Sequence, residues 1–303
     1  MALNEHASAP VKDACCTARR SSAVSQLLRK VSEDLKQEPL QWDFCSESDP
    51  GHQFQIVVAT DRELRRRAYA LAMRLYQAGG HHLGDSPYLL SPYDVEPQTL
   101  TLLARDANGN DAATISVVLD TAAGTPADEI FTPEIEPLRA SGRRLAEVIR
   151  FAISPEHRNA KCLLVRLMNF VYIYARRVKA CDDFIIEVHP RYADFYNRLL
   201  MFEPFGSERL CPRVNNAPTI LLRLDFTRAE RAVQRLAGKG AVTGVRSLYP
   251  YFYSWFEEGA VAQLLAQSHR PMSLEDMLHF GLKPLPQTAA LVAAGNESVA
   301  SLG

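Results

Sequence analysis

From residue 54 onward the chain alternates short apolar runs with amphipathic stretches. Residues 54–59 (FQIVVA) read as a strand. Leu64, Ala68, Leu71, Ala72 and Leu75 then recur at helical spacing behind Thr60 and Asp61, either of which can cap a helix reaching about Tyr76. Two strands, 99–105 and 112–119, flank DANGND, whose Asn-Gly dipeptide is typical of hairpins. A strand over 145–153, a helix over about 160–179, a short buried strand over 184–188, a helix over 190–200 and a closing strand over 219–226 complete the pattern. The order is β-α-β-β-β-α-β-α-β. It predicts an α/β fold, a mixed sheet flanked by helices rather than a repeated βαβ array.

The flanks read differently. Residues 1–50 form a peripheral, partly disordered extension, with a short helix predicted at 24–35 and a linker around Pro39 and Pro50. The main domain runs over 51–228. A helical C-terminal segment, 229–284, packs on that core and carries an aromatic-rich helix over 248–267; the small-residue tail over 285–303 frays. Within the main domain, AGGHHLGDSPYLLSPYD is too long for a mere connector and is a candidate substrate loop.

Composition narrows the class. Hydrophobic residues make up 47% and charged ones 23%, as in an ordinary globular protein. With 34 basic and 35 acidic residues the net charge is −1, which argues against a dedicated nucleic-acid binder. Six cysteines form no CxxC pair and have no histidines at zinc-finger spacing, so they read as reduced thiols of a cytoplasmic protein. The polar N-terminus is no signal peptide, and the longest apolar stretch, interrupted by Arg166 and Asn169, is too short for stable membrane insertion. His81 and His82 have no carboxylates at ligand spacing, so no metal site is expected, and the aromatic segment lacks the basic face that anionic membranes select.

The element order, with ADFYNRLLMFEPFG (residues 193–206), resembles the GNAT N-acyltransferase fold. RRLAEVIRFAISPEHR, followed by HPRY, FYNRLL-MF and PRVNNAP in order, narrows the resemblance to FeeM-type long-chain N-acyl amino acid synthases, relatives of the acyl-homoserine-lactone synthases; it covers roughly residues 54–226. The resemblance implies transfer of a long acyl chain from an acyl carrier protein, or from acyl-coenzyme A, to the amine of an amino acid substrate. No cofactor is implied beyond the phosphopantetheine that carries the thioester.

By the same resemblance Tyr196 is the acid that protonates the leaving thiolate, and Glu147 the base or amine-positioning group. Residues three apart on a strand face opposite ways unless a bulge intervenes, so Glu147 and Arg150 share a site only if the strand is bulged. Arg150, whose fork fits two oxygens, is assigned to a substrate carboxylate or to organising the site. Asp94 is assigned to the amino-substrate pocket, and His189 and Arg191 of the HPRY motif to the substrate cleft. Arg158, Asn159 and Lys161 occupy the donor-binding loop, where related enzymes have glycines.

Two departures stand out. Met201 replaces the glycine usual at the helix-to-strand junction, and ATISVVLD lacks the arginine of the lactone synthases, which favours an amino acid or amine over S-adenosylmethionine. The alternatives left open are an acyltransferase for another amine, including an exosortase-associated one, and a non-catalytic module that binds acyl thioesters.

Overall fold

The computed structural model describes residues 41–46, 49–81, 83–157, 161–240, 242 and 245–285. The expected helix at 24–35, His82, Arg158, Asn159 and most of the C-terminal tail lie outside the described residues. The described residues all belong to one compact unit, residues 39–303.

Strands β1 (Gln41–Ser46), β2 (Asp49–Val58), β3 (Leu100–Asp106), β4 (Asp111–Leu119), β5 (Leu145–Ile153), β6 (Asp183–Val188), β7 (Glu203–Pro204) and β9 (Ala217–Asp225) lie in the order β1-β2-β3-β4-β5-β6-β9-β7; β8 (Arg209–Cys211) also pairs with β9. All neighbours are antiparallel except β5 and β6. Where the sequence suggests a linker around residue 45, β1 instead folds back on β2, pairing Gln41 with Val57.

Helices cover both faces. Helix α1 (Arg62–Ala78) begins at Asp61, whose carboxylate accepts from the Leu64 N–H at 2.8 Å. It buries Leu64, Ala68, Tyr69 and Leu71 against Val57 and Leu103. Helix α2 (Asp128–Ala140), on the same face, has no counterpart in the sequence reading. Pro133 and Pro137 interrupt its pattern, and a kink with non-helical φ/ψ at Phe131 breaks its first turn. It nonetheless buries Phe131, Ile135 and Leu138 on Leu145, Ile185 and Leu221.

The opposite face holds α3 (Lys161–Ile173), continued by a π-helical turn (Tyr174–Val178), with α5 (Phe226–Leu236) beside it. Helix α4 (Ala193–Leu200) ends at Met201, whose φ of 64° is left-handed. That is the conformation that favours glycine. The single helix expected over 248–267 is broken: a 3₁₀ turn (Tyr249–Tyr251) precedes α6 (Trp255–Ser268), which restarts at a Ser254–Glu257 capping box. Helix α7 (Leu274–His279) returns to α1, where Asp276 receives Arg62 and the buried Arg65. No helix of the described residues is long and apolar enough to cross a membrane.

Candidate active site

The parallel strands β5 and β6 pair only from Leu145↔Asp183 to Val148↔Ile186. Beyond that point β5 stays with β4 as far as Ile153, and β6 stays with β9 as far as Val188. The two central strands therefore diverge, and residues 149–153 and 187–189 line the banks of the opening.

A bulge sits at the same place. Ile149 pairs with Ser116 and Ala152 with Thr114, so β5 spends three steps where β4 spends two. Arg150 takes up the extra residue with φ at 53°, and its guanidinium meets Ser116 on the α1 side of the sheet. Glu147, opposite Val118, faces that side too. The bulge thus meets the condition for two residues three apart to share a face.

Glu147 is fully buried. Its Oε2 accepts from the Ala127 N–H at 2.8 Å, just before α2, while its Oε1 has no hydrogen-bond partner. Burial, with the negative charge of Glu187 added, holds its carboxyl well above the ordinary carboxylate range. Glu187 comes from β6, where alternation puts it on the same face as Ile185, the residue that pairs with Glu147. Its Oε2 binds Arg213 at 2.5 Å, and Arg213 also binds Glu129 at 2.6 Å; the Oε1 of Glu187 is buried without a partner. The sequence reading assigns no role to Glu187, Arg213 or Glu129. Their only signal is that the first two stand in IIEVHPRY and PRVNNAP.

Arg150 and Asp94 face each other. Both oxygens of Asp94 accept from the guanidinium, one at 2.7 Å, and Arg150 also donates to the Leu89 carbonyl at 3.1 Å. The guanidinium lies 4.7 Å from the centre of the Tyr69 ring. Asp94 is itself fixed by the Ser91 N–H at 2.8 Å. Arg150 is thus engaged inside the protein rather than held open as a fork for a ligand; it ties the loop ahead of β3 to the bulge. The loop, expected to meet substrate, lines the cavity through Gly79, His81, Leu83, Leu89, Leu90 and Tyr93.

Tyr196 lines the cavity from α4, with Phe195 and Phe202 edge-on to its ring, and burial raises its phenol so that it stays protonated at neutral pH. His189 caps the turn before α4, its Nδ1 accepting from the Arg191 N–H at 3.2 Å, while the exposed Arg191 stacks on Tyr192 at the rim. Lys161 is the first residue of α3. Among the described residues no group of three or more His, Cys, Asp or Glu could hold a metal ion.

Glu147, Arg150, Glu187, Arg213, His189, Arg191 and Tyr196 all line one cavity of about 1510 Å³, whereas Asp94 stands behind its wall. Its two halves differ. The half facing α1 and α2 holds Glu129, Glu147, Arg150, Glu187 and Arg213. The half facing α3 is apolar, built from Ile153, Leu164, Met168 and Leu199, with Val245 and Leu248 added by the segment after α5. Leu248 N–H donates to the Leu199 carbonyl at 3.0 Å and the Tyr249 hydroxyl to the Leu200 carbonyl at 2.9 Å, so that segment is fastened to the helix bearing Tyr196.

A family model described as N-acyl amino acid synthase FeeM matches residues 62–225. A search of curated proteins found no match. Among solved structures, the chain resembles FeeM, an N-acyl amino acid synthase from uncultured soil microbes, at 24% identity and a TM-score of 0.52, covering 59% of this chain and 94% of that one. It also matches BjaI, a CoA-dependent acyl-homoserine lactone synthase, at 18% identity and a TM-score of 0.45, covering 60% and 87%. An N-acetyltransferase from Staphylococcus aureus Mu50 matches at 16% identity and a TM-score of 0.38, covering 57% and 98%. The sheet order and the opening between its central strands are those expected of a GNAT fold, and the family match spans more than half of the sequence: the chain is an N-acyltransferase and belongs to the FeeM family of N-acyl amino acid synthases.

Proposed function

We propose that the protein moves a long acyl chain from a thioester to the amine of an amino acid. One observation carries this reading. A single cavity joins an apolar half beside the Tyr196 phenol to a polar half holding the unpartnered oxygen of Glu147, and the halves meet where β5 and β6 part. An acyl chain suits the first half and an ammonium the second.

The chemistry follows from this division. The acceptor arrives as an ammonium, R–NH3⁺, whose charge favours the ionised form of Glu147. Glu147 takes one proton, and the freed amine adds to the thioester carbonyl, forming the C–N bond. Backbone N–H groups of β5 near the bulge stabilise the oxyanion. The C–S bond breaks, Tyr196 gives its proton to the departing thiolate, and the nitrogen's second surplus proton restores the phenol through solvent. One proton is released overall, and the nucleophile is the substrate's own amine.

The proposed donor is an acyl carrier protein. The phosphate-binding loop of related enzymes is glycine-bearing, whereas this chain has Asn159, Ala160 and Lys161 there, which suits a phosphopantetheine arm better than free coenzyme A. Arg158, Asn159 and Lys161 are the proposed donor contacts, and Arg191 and Arg246 at the rim offer positive charge to an acidic carrier. Arg150 and Asp94 position the loop and bulge around the amino substrate, and His189 and Arg191 border it.

The test is to supply acyl carrier protein or coenzyme A thioesters of graded length with a panel of amino acids and to analyse products by mass spectrometry. An N-acyl amino acid formed faster from the carrier protein is the expected result. Thioester hydrolysis without amide formation would overturn the reading.

A further inference from the structure

The polar half of the cavity contains a second acid that the reaction scheme above leaves idle. Glu187 is nine-tenths buried, one oxygen bound to Arg213 at 2.5 Å and the other without any partner. Glu147, on the adjacent strand and the same face, is completely buried and also has one oxygen without a partner. An unmet carboxylate oxygen in a dry site costs free energy unless a donor arrives to fill it. Two such oxygens at the place where the strands separate are matched by a group with several N–H donors and a positive charge.

The charge balance agrees. Arg213 is shared between Glu129 and Glu187, and among the described residues no lysine or arginine bonds to Glu147. Arg150 is already paired with Asp94, so the three carboxyl groups of Glu129, Glu147 and Glu187 share the remaining guanidinium, that of Arg213. Tyr76, whose phenol is pushed up to about 12 mainly by burial, borders the same space and brings no charge. An amine entering as a cation finds this corner favourable, and an acceptor's carboxylate is repelled from it toward the rim.

We propose that Glu187, oriented by Arg213, is a binding residue for the acceptor's ammonium: its free oxygen and that of Glu147 accept two of the three N–H bonds and leave the nitrogen pointing into the opening between β5 and β6. Glu187 takes no proton; Glu147 does. This rests on the acyl-transfer reading above and adds a residue that sets which acceptors are recognised.

The experiment compares the intact protein with Glu187→Gln on two acceptors, an amino acid that is an ammonium at neutral pH and hydroxylamine, which is uncharged there. Glu187→Gln should raise KM for the amino acid about 10- to 100-fold, since a charge-assisted contact is lost. Turnover of hydroxylamine and KM for the thioester should change less than about threefold. Arg213→Lys keeps the positive charge and should fall between. An equal loss with both acceptors marks Glu187 as merely structural, and an unchanged amino acid KM removes it from the subsite; either overturns the inference. Wild-type protein that forms no amide with any amine would sink the acyl-transfer reading instead, so the two failures are distinguishable.

Discussion

Arg150 and Asp94 bind each other through both carboxylate oxygens, and both are buried, at 6% and 4% exposure. Of the two roles the sequence leaves open for Arg150, anchoring a substrate carboxylate or organising the site, the internal pairing fits the second, since the guanidinium joins the bulge of β5 to the loop ahead of β3. Its cost of burial is offset only while the pair is whole.

The first prediction concerns that pair. Asp94→Asn leaves a buried guanidinium without its counter-charge and should cost about 3–5 kcal/mol of stability. Asp94→Leu combined with Arg150→Met should recover much of this. Urea midpoints of the single and double variants measure the effect; a double variant as unstable as the single one contradicts it.

Glu147→Gln keeps the shape and removes the proposed proton acceptor, so single-turnover acyl transfer should slow by about 10²- to 10⁴-fold. The stability effect has the opposite sign. The folded-state carboxyl titrates above the ordinary 4.5, so between that value and its raised one the native state holds a proton that the unfolded chain lacks. Stability falls as pH rises through this window. Chemical denaturation at about pH 5 and about pH 8 should show a smaller drop for Glu147→Gln than for the wild type.

Tyr196→Phe should slow transfer by about 10²-fold with an alkyl thioester and by much less with an aryl thioester, whose leaving group needs no proton. A leaving-group series provides the measurement. Equal slowing across the series would remove the phenol from its assigned role.

Val245 lies on the apolar wall, in the segment beyond the 62–225 family match. Val245→Trp should shorten the longest acyl chain transferred while leaving short-chain rates within about threefold, because filling a hydrophobic pocket discriminates by only ~1–3 kcal/mol per methylene. Product masses from a mixture of donors provide the readout.

Much of the fold was legible because the strands carry unbroken apolar runs and the first helix a clear cap: β5 occupies 145–153, as its pattern predicts, and Asp61 starts α1. Helix α2 was not legible, since its two prolines hide a periodicity that only packing on Ile185 and Leu221 makes plain. The site was legible in its motifs and less so in its pairings. That Arg150 would meet Asp94, 56 residues away, depends on a bulge that one sequence does not announce. Glu187 looked like one polar position in FIIEV, because its meaning comes from the neighbouring strand. Met201 shows a third limit: its left-handed φ is tolerated here, although glycine is the usual occupant.

The single extra residue of β5 makes this region more vulnerable to changes in length than to changes in identity. Deleting Phe151 would leave the strand continuous and the helices able to form, yet it would erase the bulge and send the guanidinium through to the apolar side. Frame-preserving deletions between Ile149 and Ala152 should therefore abolish function more completely than any point replacement there, and a graft of this centre onto another sheet must carry the irregular spacing along with the side chains.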